Sequence, residues 1–361
     1  MDYVLIGCGR IAVNHLRAAA ANQLNILAVC DINPRNAENL LEKAGLSEHR
    51  IPVYTDYRVM LDQTRPALAA VATPSGSHAA IALECIARGI PAIVEKPVAL
   101  SMADADELVR RSSASGIPVC TCHQNRFNEA VVHLRGALES GRFGELSHAG
   151  VCVRWNRNRA YYEQSPWRGT WAQDGGALMN QSIHGIDLLS WMLGGNAREV
   201  MGMTRRAQHD YLEAEDAGLA LIRFGSGVIA SVEGTVNAYG GNLEETLTLF
   251  GERGLARLCG TSANQIGVWR FADERAGDEA ARGLLEQTEN VYGNGHRLLY
   301  ADMIDALKQK RAPNIDARAG RNALELVLAI YKSQLTGQPV PLPLEDFSTM
   351  DMARSLKGGR L

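Results

Sequence analysis

A short apolar run, Tyr3 to Ile6, leads straight into Gly7-Cys8-Gly9-Arg10-Ile11-Ala12, and a helical pattern starts at once behind it. Few features restrict a fold more, because such a turn works only between a buried strand and the first turn of a helix. Gly7 permits the tight turn, Gly9 lets backbone approach a ligand, and the small Ala12 allows close packing of the helix. The N–H groups opening that helix then face a phosphate. A second apolar run, Ile26 to Cys30, ends in Asp31, about 20 residues on, where a carboxylate accepts hydrogen bonds from an adenosine ribose. An acid at that place disfavours a 2′-phosphate, so NAD is predicted over NADP, with Arg35 nearby keeping the second cofactor open.

The alternation continues. Strand-like runs at 67–73, 92–95 and 118–122 alternate with helical patterns at 12–22, 34–45, 78–89 and 102–116. Strands separated this way lie parallel with right-handed crossovers, which predicts an α/β fold built on a doubly wound parallel sheet with ligands at the strand carboxyl ends. Thr73-Pro74-Ser75 with His78, and Glu95-Lys96-Pro97, stand at two of those ends.

With 361 residues and 46% hydrophobic content, the chain exceeds what one core usually holds, so two domains are expected, 1–122 and 123–361. The net charge of -3, with both signs scattered, argues against nucleic-acid or membrane adhesion. No apolar run approaches the roughly 20 residues needed to span a bilayer, and the first residues do not read as a secretory signal, so a cytoplasmic location is expected. Seven cysteines without a C-x-x-C pair read as reduced thiols, Cys120 and Cys122 as buried ones, and no metal-ligating set is assigned.

Beyond residue 123, Asp174-Gly175-Gly176 reads as a turn into a helix carrying Asn180, His184 and Asp187 at i, i+4 and i+7 on one face. Runs at 217–224, 228–236, 245–251, 255–260 and 266–271 read as an antiparallel meander. Residues 272–296 read as charged surface linkage, ahead of helices at about 297–310 and 317–335. Residues 153–171 concentrate Arg154, Arg157, Arg159 and Arg168 with three tryptophans, Tyr161 and Tyr162, against one acid, Glu163: four positive charges less one, or +3. Arginine forks and aromatic faces suit a phosphorylated or carboxylated ligand, and equally a sheet-packing or subunit contact.

Gly7-x-Gly9-x-x-Ala12, Thr73-Pro74-Ser75 with His78, Glu95-Lys96-Pro97 and Gly175 to Leu189 together resemble the Gfo/Idh/MocA family of sugar-like dehydrogenases, over nearly the whole chain. The resemblance implies an N-terminal Rossmann domain and a C-terminal α/β domain on a large open, mainly antiparallel sheet, whose flat face often builds a homotetramer. It also implies a cis Lys96-Pro97 bond. Cofactor contacts are implied for Gly7, Gly9, Arg10, Ile11, Asp31, Thr73, Pro74, Ser75, His78, Glu95, Lys96, Gln124, Trp167 and Arg168. Substrate contacts are implied for Lys96, Arg157, Tyr161, Asn180 and His184.

Oxidising an alcohol removes a hydride from carbon and a proton from oxygen, for which an imidazole is a suitable base and an ammonium a suitable partner of the alkoxide. His184 is assigned the base and Lys96 the alkoxide, although a desolvated lysine also serves as a base. Many relatives carry aspartate four residues before the histidine. Asn180 stands there instead, orienting a hydroxyl without tuning the imidazole, which points away from a neutral polyol. Residues 159–184, with Gly7 to His15 and Leu342 to Asp351, are similar to the UDP-N-acetylglucosaminuronate 3-dehydrogenases of bacterial surface-polysaccharide biosynthesis. That resemblance implies a nucleotide-sugar substrate oxidised at carbon 3, with 2-oxoglutarate as an oxidant some relatives use to recycle NADH. The alternatives are a dehydrogenase of free polyols such as inositol and a non-catalytic NAD-binding regulator.

Overall fold

The computed structural model describes residues 1–287 and 294–357. Two compact units emerge. The first holds residues 1–99, 103–122 and 296–321, and the second holds 100–102, 123–295 and the chain from 322 on. The return at 296–321 is not visible from the strand pattern of residues 1–122.

The first unit is a six-stranded sheet of β1 (Asp2–Ile6), β2 (Asn25–Cys30), β3 (Val53–Tyr54), β4 (Leu68–Val71), β5 (Ala92–Val94) and β6 (Val119–Thr121), in the order β3-β2-β1-β4-β5-β6. Every neighbouring pair is parallel, as the alternation predicted. The helices are α1 (Ala12–Ala21), α2 (Pro34–Lys43), α3 (Tyr57–Thr64), α4 (His78–Ala87) and α5 (Met102–Ser115). Of these elements, β3 and α3 escaped the sequence reading; the two residues of β3 are too few for a periodic signal. β4 and β5 are wholly buried, which explains their unbroken apolar runs. Gly7 has φ +94°, and a Cβ there would lie 2.5 Å from the backbone carbon and oxygen of Ala72. Only glycine fits between the ends of β1 and β4.

The second unit is an eight-stranded sheet: β7 (Leu146–Arg154), β8 (Ala197–Arg205), β9 (Ala217–Phe224), β10 (Ile229–Thr235), β11 (Glu244–Gly251), β12 (Gly254–Cys259), β13 (Gln265–Phe271) and β14 (Val340–Pro341). Its order, β13-β12-β11-β7-β10-β9-β8-β14, corrects the predicted meander. β7 inserts between β10 and β11, parallel to the former and antiparallel to the latter. The hairpin residues between β10 and β11 therefore do not join neighbours, a long-range pairing that local turn signals do not encode. β9 alternates buried Gly218, Ala220, Ile222 and Phe224 with outward residues including Leu219 and Leu221. The inner face is covered by a π turn (Leu178–Ser182) continuing into a helix. Gly234 on β10 makes room for that turn: a Cβ there would meet Ser182 Oγ at 2.3 Å.

The 272–296 stretch includes 288–293, which lie outside the described residues. Its described part holds a short helix, Asp278–Arg282. All seven cysteines are free thiols, and among the described residues no helix is long and apolar enough to cross a membrane.

Candidate functional site

The glycine turn presents backbone to open space. A Cβ on Gly9 would meet nothing within 4 Å, and Arg10 and Ile11 follow on the same accessible turn. Helix α1 begins at Ala12 with no side-chain cap and no acid in its first turn, so its leading N–H groups and positive dipole end are unopposed by side chains. Asp31, at the end of β2, is held in place by the Cys8 N–H at 2.9 Å and the Asn33 N–H at 2.9 Å, while Asn36 Nδ2 donates at 3.0 Å. These residues fit a dinucleotide: small backbone at the pyrophosphate, helix N-terminus toward its charge, carboxylate toward the ribose.

The next strand ends are braced against each other. Ser77 Oγ donates to Pro74 O at 2.8 Å and lies 2.7 Å from Thr73 Oγ1, and Ser75 is buried. His78 places one ring nitrogen 2.8 Å from Thr73 O and the other 2.8 Å from Pro97 O. Both nitrogens are thus spent on protein carbonyls, so His78 fastens the Thr73–Ser75 turn to the Lys96-Pro97 segment; burial lowers its basicity, and the two carbonyls offset that in part. The Lys96-Pro97 bond is cis, as the resemblance implied, and Lys96 is half-buried.

Glu95 points inward. His15 Nε2 lies 3.0 Å from Glu95 Oε1, His15 Nδ1 lies 2.7 Å from Tyr300 Oη, and Tyr300 Oη lies 2.9 Å from Tyr3 Oη. His296 Nε2 is 3.6 Å from the same Oε1, and the Lys96 N–H donates to Oε2 at 3.2 Å. Burial would raise the Glu95 carboxyl, but the hydrogen bonds from His15 and His296 hold it well below the usual carboxylate range. With Cys122, these groups bring ligand-type atoms within 4.8 Å of one another. This convergence of 15, 95, 122 and 296 was invisible in the sequence, where the four positions share no motif.

In the second unit the predicted helix is interrupted. Leu178–Ser182 form a π turn before the regular helix Ile183–Met192 begins. Asn180 lies within that π turn, a local departure from the plain α-helix that the sequence predicts. Its Nδ2 donates to Asp174 Oδ1, so the amide works against a carboxylate. His184 is buried, edge-on to His123 with ring centroids 5.7 Å apart. Asp187 accepts from Arg126 Nε at 2.7 Å and Nη2 at 2.6 Å. Gln124 is buried, its Nε2 donating to Asn125 Oδ1 at 3.4 Å. His123 and Arg126 were not singled out from sequence; their place just beyond the end of β6 was the available signal.

The arginine-rich stretch divides by charge. Arg154, on β7, binds Glu233 with Nε at 2.7 Å and Glu244 with Nη1 at 2.5 Å, and belongs to the sheet's outer face. Arg159 is exposed beside Glu163 and Asp210. Arg157 and Arg168 have no carboxylate partner among the described residues. Arg157 Nη1 donates to Asn156 O at 2.6 Å and Asn242 Oδ1 at 3.0 Å; Arg168 Nη1 donates to Tyr161 O at 2.6 Å and Gln164 Oε1 at 3.1 Å. Both guanidinium groups lie over the Tyr161 ring, at 5.1 and 4.1 Å, and Trp167 flanks Arg168 at 5.7 Å. The Nε atoms of both are buried without a hydrogen bond.

Residues 1–121 match the oxidoreductase family NAD-binding Rossmann fold, and residues 135–342 match the C-terminal alpha/beta domain of the same family. The crystal structure of the WlbA dehydrogenase from Bordetella pertussis, in complex with NADH and UDP-GlcNAcA, superposes with a TM-score of 0.86 at 34% identity, covering 95% of this chain and 98% of that one. The WlbA dehydrogenase from Chromobacterium violaceum, in complex with the same two ligands, gives 0.86 and 34%, covering 96% of each chain. Inositol 2-dehydrogenase 1 from Saccharopolyspora erythraea is 24% identical over 95% of this chain and 96% of its own. The chain belongs to the Gfo/Idh/MocA oxidoreductase family, as an NAD-dependent dehydrogenase of the sugar and polyol class.

Proposed function

We propose that this protein oxidises the carbon-3 hydroxyl of UDP-N-acetylglucosaminuronic acid to the 3-keto sugar. The observation that carries the reading is the pair Arg157 and Arg168, which hold uncompensated positive charge around Tyr161 while Arg154 and Arg159 are matched to acids. A substrate with two phosphates and a carboxylate meets that charge; a neutral polyol does not. The likeness to two dehydrogenases crystallised with UDP-GlcNAcA supports it.

In this reading NAD, when bound, supplies the hydride acceptor. His184 takes the hydroxyl proton and the Lys96 ammonium stabilises the alkoxide as the carbon–hydrogen bond breaks. The glycine turn and Asp31 hold the cofactor. Among the predicted cofactor residues, Thr73, Pro74 and Ser75 shape its edge, and His78 and Glu95 hold that edge and the Lys96 backbone from behind. Arg168 and Trp167 serve either the cofactor or the sugar diphosphate, Asn180 orients a sugar hydroxyl, and Gln124 is a further candidate cofactor residue.

The test is incubation of the purified protein with UDP-N-acetylglucosaminuronic acid and NAD, with and without 2-oxoglutarate, followed by mass analysis of the sugar. The expected product lacks one hydride and one proton, and dependence on 2-oxoglutarate identifies the recycling oxidant. Oxidation of inositol with no change in the UDP-sugar would overturn the reading in favour of a free polyol, which the inositol dehydrogenase relative keeps in view.

A further inference from the structure

Four side chains far apart in the chain meet inside the first unit: His15 on α1, Glu95 just after β5, Cys122 just after β6, and His296 in the helix Gly295–Gln309. They are 0%, 6%, 0% and 5% exposed. Hydrogen bonding accounts for part of the cluster. His15 sets Nδ1 against Tyr300 Oη and turns Nε2 to Glu95 Oε1 at 3.0 Å. It does not account for His296. The Nε2 of that ring stops 3.6 Å from the same oxygen, outside the about 2.7–3.2 Å of a well-formed hydrogen bond. Its Nδ1 is buried with no hydrogen-bond partner among the described residues, and a buried polar atom left in that way calls for a ligand. The rings of His15 and His296 stand edge to face, with centroids 5.5 Å apart.

Two imidazoles, a thiol and a carboxylate form a donor set that suits zinc, whereas magnesium and calcium take oxygen alone. The charges also balance. A divalent cation with one thiolate, one carboxylate and two neutral imidazoles sums to zero, which is what a buried site demands. Burial and the Glu95 carboxylate push the Cys122 thiol up, so without a cation it keeps its proton; a zinc ion reverses that preference, the sulfur–zinc bond forming as the S–H bond breaks and its proton leaves for solvent. The donor atoms all lie within 4.8 Å of one another. Tetrahedral zinc sets such atoms about 3.3–3.6 Å apart, so binding draws the widest pair together by about 1 Å. Tyr300 Oη, 2.7 Å from His15 Nδ1 and 2.9 Å from Tyr3 Oη, is the kind of outer partner that fixes the direction of a ligating ring.

We propose that His15, Glu95, Cys122 and His296 form a structural zinc site within the first unit. Four protein ligands close it, so it leaves no open position for a substrate and supplies no step of the reaction. Its work is to staple α1, the ends of β5 and β6, and the helix that returns near the end of the chain. Glu95 Oε2 accepts the Lys96 backbone N–H at 3.2 Å, so an ion on Oε1 also steadies the backbone that carries Lys96. The inference does not depend on which sugar is oxidised.

The test reads the metal itself. The full chain, purified without a histidine tag from cells grown with zinc and dialysed free of loose ions, should carry about one zinc per chain by elemental mass spectrometry. Grown with cobalt in place of zinc, it should show the absorption of a thiolate bound to four-coordinate cobalt(II). Cys122→Ser should abolish that thiolate band, and both Cys122→Ser and His296→Asn should lower the zinc content at least about tenfold. Wild-type zinc below about a tenth of an ion per chain overturns the proposal and leaves the cluster as a hydrogen-bond network. A thiolate band that survives Cys122→Ser, or a zinc content that survives either substitution, overturns it by placing the metal elsewhere. Losing a ligand can prevent folding; in that event zinc-edge X-ray absorption of the wild type decides. One sulfur and three nitrogen or oxygen neighbours are expected from this donor set, and any other set overturns the proposal. Sugar turnover, measured separately, reports on the functional reading whatever the metal content.

Discussion

Lys96 and His184 differ in what each can contribute. The lysine is half-buried beside a cis proline, its backbone N–H tied to Glu95, and a positive charge on its side-chain amine favours an alkoxide over an alcohol. The imidazole is buried on a helix and accepts a proton without needing a full charge beforehand. Lys96→Ala and His184→Asn should each lower kcat by at least about 100-fold, the usual scale for a lost acid–base or oxyanion partner. NAD affinity, read by quenching of tryptophan fluorescence, should stay within about threefold, because the glycine turn and Asp31 carry the binding. Wild-type turnover in both variants would contradict the assignment of roles.

At the scale of elements, the 153–171 segment makes a sharper prediction. Arg157→Ala and Arg168→Ala should each raise KM for the UDP-sugar by about tenfold or more, since a charge-assisted hydrogen bond is worth about 1.5–3 kcal/mol. Arg154→Ala should leave KM near wild type and act on stability alone, because its fork is saturated by Glu233 and Glu244. Equal effects from all three would return Arg154 to the binding surface. The charge concentration itself was legible in the sequence; its partition was not, because the acids that neutralise Arg154 lie 79 and 90 residues away. The same distinction runs through the fold. Strand–helix alternation and the Gly7 turn were readable because their signals are local and periodic. The insertion of β7 between β10 and β11 and the meeting of His15, Glu95, Cys122 and His296 were not, since both depend on tertiary pairing. The π turn at 178–182, where Asn180 donates to Asp174, shows a third kind of gap: the apolar pattern foretells a helix, but a one-residue widening of a turn has no signature in composition.

For the molecule as a whole, the outer face of the large sheet and the interior beneath it make separate demands. Met203, Leu219, Leu221 and Ile229 are 67%, 60%, 63% and 53% exposed, and Met203 pairs with Leu219 across β8 and β9. We propose that this face joins copies of the chain into the homotetramer implied by the family resemblance, an apolar sheet face being costly to leave in water. Leu219→Lys with Leu221→Lys should lower the mass measured by light scattering, and an unchanged mass would place the interface elsewhere. Inside the same unit, burial pushes Glu215 up to about 8, against hydrogen bonds from the Leu178 N–H and Tyr331, and likewise pushes Glu245 up to about 8, against Asn125. Both carboxyls ordinarily ionise near 4.5, so between that pH and about 8 the unfolded chain releases protons that the folded chain keeps. Stability therefore falls as pH rises through this window and is fully present below it, with each group contributing about 5 kcal/mol as an order of magnitude. Asp216 does not offset the trend: burial opposes its charge, but the N–H groups of Gln208, Ala207 and His209 and the Asn237 amide bring it down to about 2. Its contribution is complete above about pH 4 and is lost only in stronger acid. Melting temperatures from pH 5 to 8 should consequently decline in the wild type and decline less in Glu215→Gln and Glu245→Gln, which stay neutral in both states. A slope unchanged in both variants would mean that these carboxyls are ionised in the folded protein, and that the interior around His184 and Asn125 is more polar than their burial implies.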